Sequence, residues 1–189
     1  MWPAAVLGAG VALAIASTHG IKNLTEVKST IDGKVYRVQD LPDKQDACNR
    51  MATIRQNVDT LISKYRNDPA TAADPRIKVL IERFNGDRMC ENDLDADSTS
   101  YSENKGEKIV VCLRDKKAPY KLVDTNTVMF VVLHEMAHLM CTTIGHTPEF
   151  WTNFKRILQD AVACGIYQAT NYAHSPVSYC GMRITDSPI

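Results

Sequence analysis

The chain has 189 residues, 44% of them apolar and 23% charged, which is enough for one ordinary domain with a real core and cramped for two. Its 22 basic and 22 acidic side chains cancel, and no block of Lys or Arg stands out. That balance lacks the electrostatic footprint of a nucleic-acid binder, so no nucleic-acid partner is expected.

Residues 2–18 carry no charged side chain, and as a helix their apolar stretch would run about 24 Å, between a signal-peptide core and a bilayer span of about 30 Å. Lys22, Lys28 and Lys34 follow the segment and no basic residue precedes it. Residues 1–20 are therefore expected to form an uncleaved single-pass membrane anchor with the main domain, residues 24–189, on the cytosolic side. The alternative is secretion after cleavage near Ala16, where Ala14-Ile15-Ala16 offers a small-x-small site. Six widely spaced cysteines without a CxxC pair argue against a cysteine metal knuckle. They leave two states open, up to three disulfides in an oxidising compartment or reduced core thiols in the cytosol.

Asp32-Gly33 between two β-prone runs predicts a hairpin, with Val27 and Ile31 before the turn and Val35 and Val38 after it. Ala47, Met51, Ile54, Val58, Leu61 and Tyr65 then recur at four- and three-residue steps, one apolar stripe along a long helix that packs on its own domain. A shorter helix is predicted from Pro75 to Phe84, capped by Asp74 and stopped at Asn85-Gly86. Residues 91–106 form an acidic, polar insertion. Asp93, Asp95 and Asp97 imitate a calcium loop, but Ser98 stands where a glycine is needed and Asn104 where a bidentate glutamate is needed, so a solvated loop is expected. The β-branched run Lys108 to Asp115 predicts a strand just before the next helix, and Ile109 to Arg114, if it forms the sheet edge above the site, would bind an extended peptide by strand addition.

The next helix carries three of the chain's five histidines in or just beyond it. Asp124 is its predicted N-cap, and the residues that follow are apolar nearly all round, which marks a helix buried in the middle of the domain. His134 and His138, at i and i+4, project from one face about one turn apart and suit one zinc ion at about 2.0–2.1 Å. Glu135 is rotated by about 100° from His134, too far to join the pair but placed to reach a water at the metal. Gly145 lets the chain turn back so that His146 supplies a third ligand, pinned before a helix that restarts with Thr147 as N-cap and Pro148 as first residue. Glu149 has two readings, acceptor for a ligand imidazole or solvent-facing helix-start carboxylate. Cys141 lies on the face of His134 and is read as a small core residue, because a fourth protein ligand would close the position a hydrolase needs.

"HEMAH" followed by "GHTPEFW" resembles the zincin metallopeptidases of the WLM and SprT-like kind, over about residues 108–163. The seven residues between His138 and His146 differ from the five of the metzincin pattern and exclude that subtype, and Thr147 stands where the SprT-like segment tends to have Gly. The resemblance implies an α+β, zincin-like single domain with a small mixed or antiparallel sheet and a buried HExxH helix, preceded here by the N-terminal hydrophobic helix. It also implies one Zn2+ held by His134, His138 and His146, with Glu135 as the catalytic carboxylate and a protein or peptide as substrate. Tyr172, His174 and Tyr179 in the C-terminal tail are the candidates for stabilising charge on the carbonyl oxygen. A function of another class, a membrane-anchored scaffold that binds zinc without turnover, shares the histidines and differs over Glu135.

Overall fold

In the computed structural model, residues 23–103 and 106–189 are described. Strands β1 (Leu24–Lys28) and β2 (Val35–Gln39) form the expected antiparallel hairpin, Leu24 opposite Gln39. Gly33, at φ +72°, makes the turn, and the Ser29 hydroxyl accepts from the Ile31 amide inside it. Helix α1 (Lys44–Asn67) buries the whole predicted stripe, with Ala47, Met51, Ile54, Val58, Leu61 and Tyr65 all at 0% exposure. A short α2 (Pro69–Ala72) follows, then α3 (Pro75–Arg83), whose first turn is capped as predicted, the Asp74 carboxylate accepting from the Arg76 amide at 2.9 Å.

Strands β3 (Met89–Glu91), β4 (Tyr101–Glu103) and β5 (Lys108–Val111) complete a mixed five-stranded sheet in the order β1-β2-β3-β5-β4. Pairing is parallel between β2 and β3 and between β3 and β5, and antiparallel between β5 and β4. The condition for strand addition is therefore not met at Ile109–Arg114: β5 is interior, and the sheet's edges are β1 and β4, the latter hidden in the polar insertion. The resemblance of that insertion to a calcium loop has its own explanation, because the Lys116 ammonium donates to the Ala96 and Ser98 carbonyls and brings a built-in cation to the acidic loop.

Helix α4 (Thr125–Leu139) lies in the middle of the domain against α1, α3 and α5 (Pro148–Ala163). A separate hairpin of β6 (Val177–Tyr179) and β7 (Met182–Ile184) is tied to the end of β5 by a Cys112–Cys180 disulfide. Cys48, Cys90 and Cys141 are buried free thiols, so one pair follows the oxidised reading and these three the core reading. A buried ion cluster knits the sheet to the start of α1: Arg114 donates to Glu91 at 2.6 Å and to Asp43 at 2.7 Å, and Glu91 also accepts from the Gln39 amide.

The membrane assignment is also corrected. Among the described residues no helix is long and apolar enough to cross a membrane. The apolar α4 has 15 residues, about 22 Å, against a hydrocarbon core of about 30 Å, and the longer α1 is studded with charge. The expected anchor, residues 1–20, lies outside the described residues.

Candidate metal centre

The centre is built on α4. The Asp124 carboxylate caps it by accepting from the Thr127 amide at 3.0 Å and from the Thr127 hydroxyl. At the other end Arg83 of α3 donates to the Leu139 and Cys141 carbonyls at 2.7 and 3.2 Å, satisfying acceptors that the last turn leaves open. With both ends held and nearly every side chain buried, the helix presents His134 and His138 from a fixed backbone. His134 is 1% exposed and His138 half-buried.

His146 reaches the same point from the loop after α4. Gly145 takes φ +86°, the turn expected of it, and Thr147 caps α5 as predicted. The three imidazoles converge through one atom each: Nε2 of His134 is 3.2 Å from Nε2 of His138 and 3.1 Å from Nε2 of His146. Tetrahedral bonds of about 2.0–2.1 Å to one ion would set such nitrogens about 3.3 Å apart, so the spacing fits zinc. A network of protons fits less well, because His134 Nε2 would have to serve two partners with one hydrogen or one lone pair. Among the described residues this is the group of His, Cys, Asp and Glu with the geometry to hold a metal.

The electrostatics agree. Burial, with the nearby His138 and His146 adding to it, holds the His134 pKa well below its usual range. Burial takes His138 down to about 4, helped by His146, and also lowers His146. All three rings are therefore neutral at pH 7, the form that ligates a metal. Glu135 is half-buried on α4, and burial pushes its carboxyl up to about 8.

Phe150, in the first turn of α5, belongs to the site and was missed by sequence reasoning. Its ring centroid lies 4.7 Å from His134, 4.3 Å from His138 and 4.7 Å from His146, so one side chain wedges all three imidazoles. His134 Nδ1 has no hydrogen-bond partner among the described residues, and its ring is set by packing on Phe150 and Phe154 instead. Cys141 stays out of the centre, as expected: its thiol donates to the Ala137 carbonyl at 3.2 Å and accepts from Asn153 at 3.4 Å.

The tail candidates separate cleanly. Tyr172 is buried against Phe130, a full turn of α4 before His134. His174 is exposed. Tyr179 is fully buried, donates to the Cys112 carbonyl at 2.9 Å, and shares a 2.6 Å hydrogen bond with Ser100. Its phenol is pushed up chiefly by burial, and it is near enough to Glu135 for the carboxylate to add to that rise. Tyr179 thus links the residue before the edge strand β4 to the end of β5, within electrostatic reach of Glu135.

Comparison with known proteins agrees with this geometry. The WLM domain family matches residues 30–178. An uncharacterized protein of Acanthamoeba polyphaga mimivirus, R325, is 33% identical over 162 residues, 85% of this chain and 82% of that one. Protein 136R of Invertebrate iridescent virus 6, also uncharacterized, is 38% identical over 93 residues, 49% of this chain and 52% of its own. Among solved structures, Wss1 from Saccharomyces cerevisiae shares the fold, with a TM-score of 0.52 at 18% identity over 68% of this chain and 87% of its own. The chain belongs to the WLM domain family, the zinc metallopeptidase group that its HEMAH and GHTPEFW segments resemble.

Proposed function

We propose that the protein is a zinc-dependent peptidase in which His134, His138 and His146 hold one Zn2+ and Glu135 is the catalytic carboxylate. The observation that carries this reading is the convergence of three neutral Nε2 atoms at 3.1 and 3.2 Å, with, on the same helix, a carboxyl whose pKa burial raises. Bound there, zinc would supply a Lewis acid that polarises a peptide carbonyl and brings the pKa of a water towards about 7. Glu135 then takes a proton from the attacking water on a carboxylate oxygen and passes it to the departing nitrogen. The charge of a bound zinc would draw this raised pKa back down, towards a value at which the carboxylate can both take the proton and give it up. The free edge of β4, bordered by Ser100 and Tyr179, is where an extended polypeptide would add as a further strand.

Elemental analysis of the full chain and of His146→Ala, with a hydrolysis assay on an unfolded protein substrate, tests the reading. About one zinc per wild-type chain is expected, falling sharply in His146→Ala, with hydrolysis abolished by Glu135→Gln at unchanged zinc content. A well-folded, metal-free wild type refutes the metal centre. Zinc binding with turnover indifferent to Glu135→Gln refutes the peptidase mechanism.

A further inference from the structure

The three histidines are not held alike. His134 and His138 ride on a capped helix in the core, whereas His146 sits in a surface loop whose Ile144 side chain is 69% exposed. Among the described residues, Ile144, Gly145 and His146 make no backbone hydrogen bond. Something else must fix the third imidazole, since a residue beside a φ +86° glycine has no conformational anchor of its own.

The first turn of α5 supplies it. Glu149 reaches back across the loop and accepts from both amides that open it, Thr142 at 3.0 Å and Thr143 at 3.1 Å. The two hydroxyls donate to the same carboxylate, Thr143 at 2.6 Å and Thr142 at 3.2 Å. The Thr143 hydroxyl is also 2.8 Å from that of Thr147, the residue that caps α5. Residues 142–149 therefore close into a ring around His146, with both carboxylate oxygens facing donors. At the helix N-terminus the negative charge is also favoured by the aligned peptide dipoles. Neither sequence reading of Glu149 foresaw this: it touches no imidazole and it does not face only solvent.

We infer that Glu149 is a positioning residue for the metal centre, a latch that holds the loop closed so that His146 is preset as third ligand. The inference rests on the proposed three-histidine zinc site. Its physical content is that ordering of the loop is completed before the metal arrives; without the latch, that entropy is charged against binding. A carboxamide cannot replace the carboxylate, because its NH2 group would face N–H and O–H donors where an oxygen now accepts.

The test is zinc affinity, by competition with a chelating dye, on the full chain as wild type, Glu149→Gln, His146→Ala and the double variant. Groups that orient metal ligands typically contribute 10- to 100-fold, so Glu149→Gln is expected to weaken zinc binding by about 10-fold or more. It should also speed amide exchange at Thr142 and Thr143 while lowering the melting temperature of the metal-free protein only slightly. In the His146→Ala background the same change should have no further effect on zinc, because the latch acts through that imidazole. Thr143→Val, which removes the 2.6 Å donor from the opposite side, should weaken zinc in the same direction. Wild-type affinity in Glu149→Gln overturns the latch, as does an equal loss with and without His146. A wild type that binds no zinc overturns the metal centre itself and this inference with it, an outcome distinct from either of the others.

Discussion

Replacing Glu135 by Gln tests the environment of the site as well as its chemistry. Burial raises this carboxyl from its ordinary 4.5 to about 8. Between those two values the folded state keeps a proton that the unfolded state has released, so stability from this group is full below pH 4.5 and drains away as pH rises to 8. At pH 7 the metal-free fold has lost up to ~3 kcal/mol this way, at about 1.4 kcal/mol per pH step from 4.5. Because the side chain is half-buried and not sealed, water reduces that to about 1–3 kcal/mol. Glu135→Gln removes the titration. Metal-free protein carrying it should melt about 2–12 °C higher than wild type at pH 7, taking 2–4 °C per kcal/mol for a domain of this size.

The gain should shrink towards nothing at pH 4.5, where the wild-type carboxyl is protonated folded and unfolded alike, and shrink again with zinc, whose charge favours the carboxylate. Circular-dichroism melts of chelator-treated wild type and variant at pH 4.5, 6, 7 and 8 supply the comparison. A variant melting at or below wild type at pH 7, or a gain equal at pH 4.5 and pH 7, would refute the reasoning. A more stable, inactive variant is the signature of a group kept in an unfavourable place for its chemistry.

Stripping metal should lower the melting temperature by about 8–16 °C, since a ligand at roughly 1,000 times its Kd contributes about 4 kcal/mol, and added zinc should restore it; identical melts with and without zinc would contradict the site. Phe150→Ala and Phe154→Ala each truncate a fully buried ring and should cost about 3–5 kcal/mol in urea unfolding. Only the Phe150 change, which meets all three imidazoles where Phe154 meets His134, should also cut zinc content severely. Hydrogen bonds from Arg76 and then Arg156 hold Asp74 well below the usual carboxylate range. Its stabilisation is therefore complete above pH 3.8 and lost as pH falls towards the depressed value. Asp74→Asn should cost about 1–2 kcal/mol at pH 7, and the difference should close in acid. Arg114→Met strands the Glu91 carboxylate, whose side chain is 1% exposed, and should cost about 3–5 kcal/mol by denaturant titration; pairing it with Glu91→Leu should recover most of that.

Local pattern carried the sequence reading wherever one element's own spacing decides its fate. The α1 stripe, the Asp32-Gly33 turn and the Asp74, Asp124 and Thr147 caps all follow from residues within a turn or two of one another. The third histidine was legible for the same reason, since Gly145 and Thr147-Pro148 fix both ends of a short loop. What escaped depends on partners far along the chain. Strand β4 is three residues of polar sequence that become a strand only because β5 offers it an edge. The Cys112–Cys180 pairing spans 68 residues, and nothing in the spacing of six cysteines selects it. Lys116 reads as a surface lysine until the acidic loop folds over its ammonium.

The same division between local and distant explains how the centre is built. The helix-borne pair needs no help from the metal: α4 is held by Asp124 at one end, by Arg83 at the other and by core packing between, so His134 and His138 stand in place whenever the domain is folded. The loop-borne ligand is secured by neighbours three to five residues away, Glu149 through hydrogen bonds that close the loop and Phe150 and Trp151 through ring packing. Loss of domain stability should therefore release all three ligands together, whereas loss of the Glu149 contacts should release His146 alone. Two histidines on a helix make a weak, open site, and on the proposed reading the third would convert it into one that holds zinc while leaving a position free. If Glu149 acts as the proposed latch, control over metal occupancy would reside in the surface ring of residues 142–149, the part of the centre that can loosen without unfolding the core.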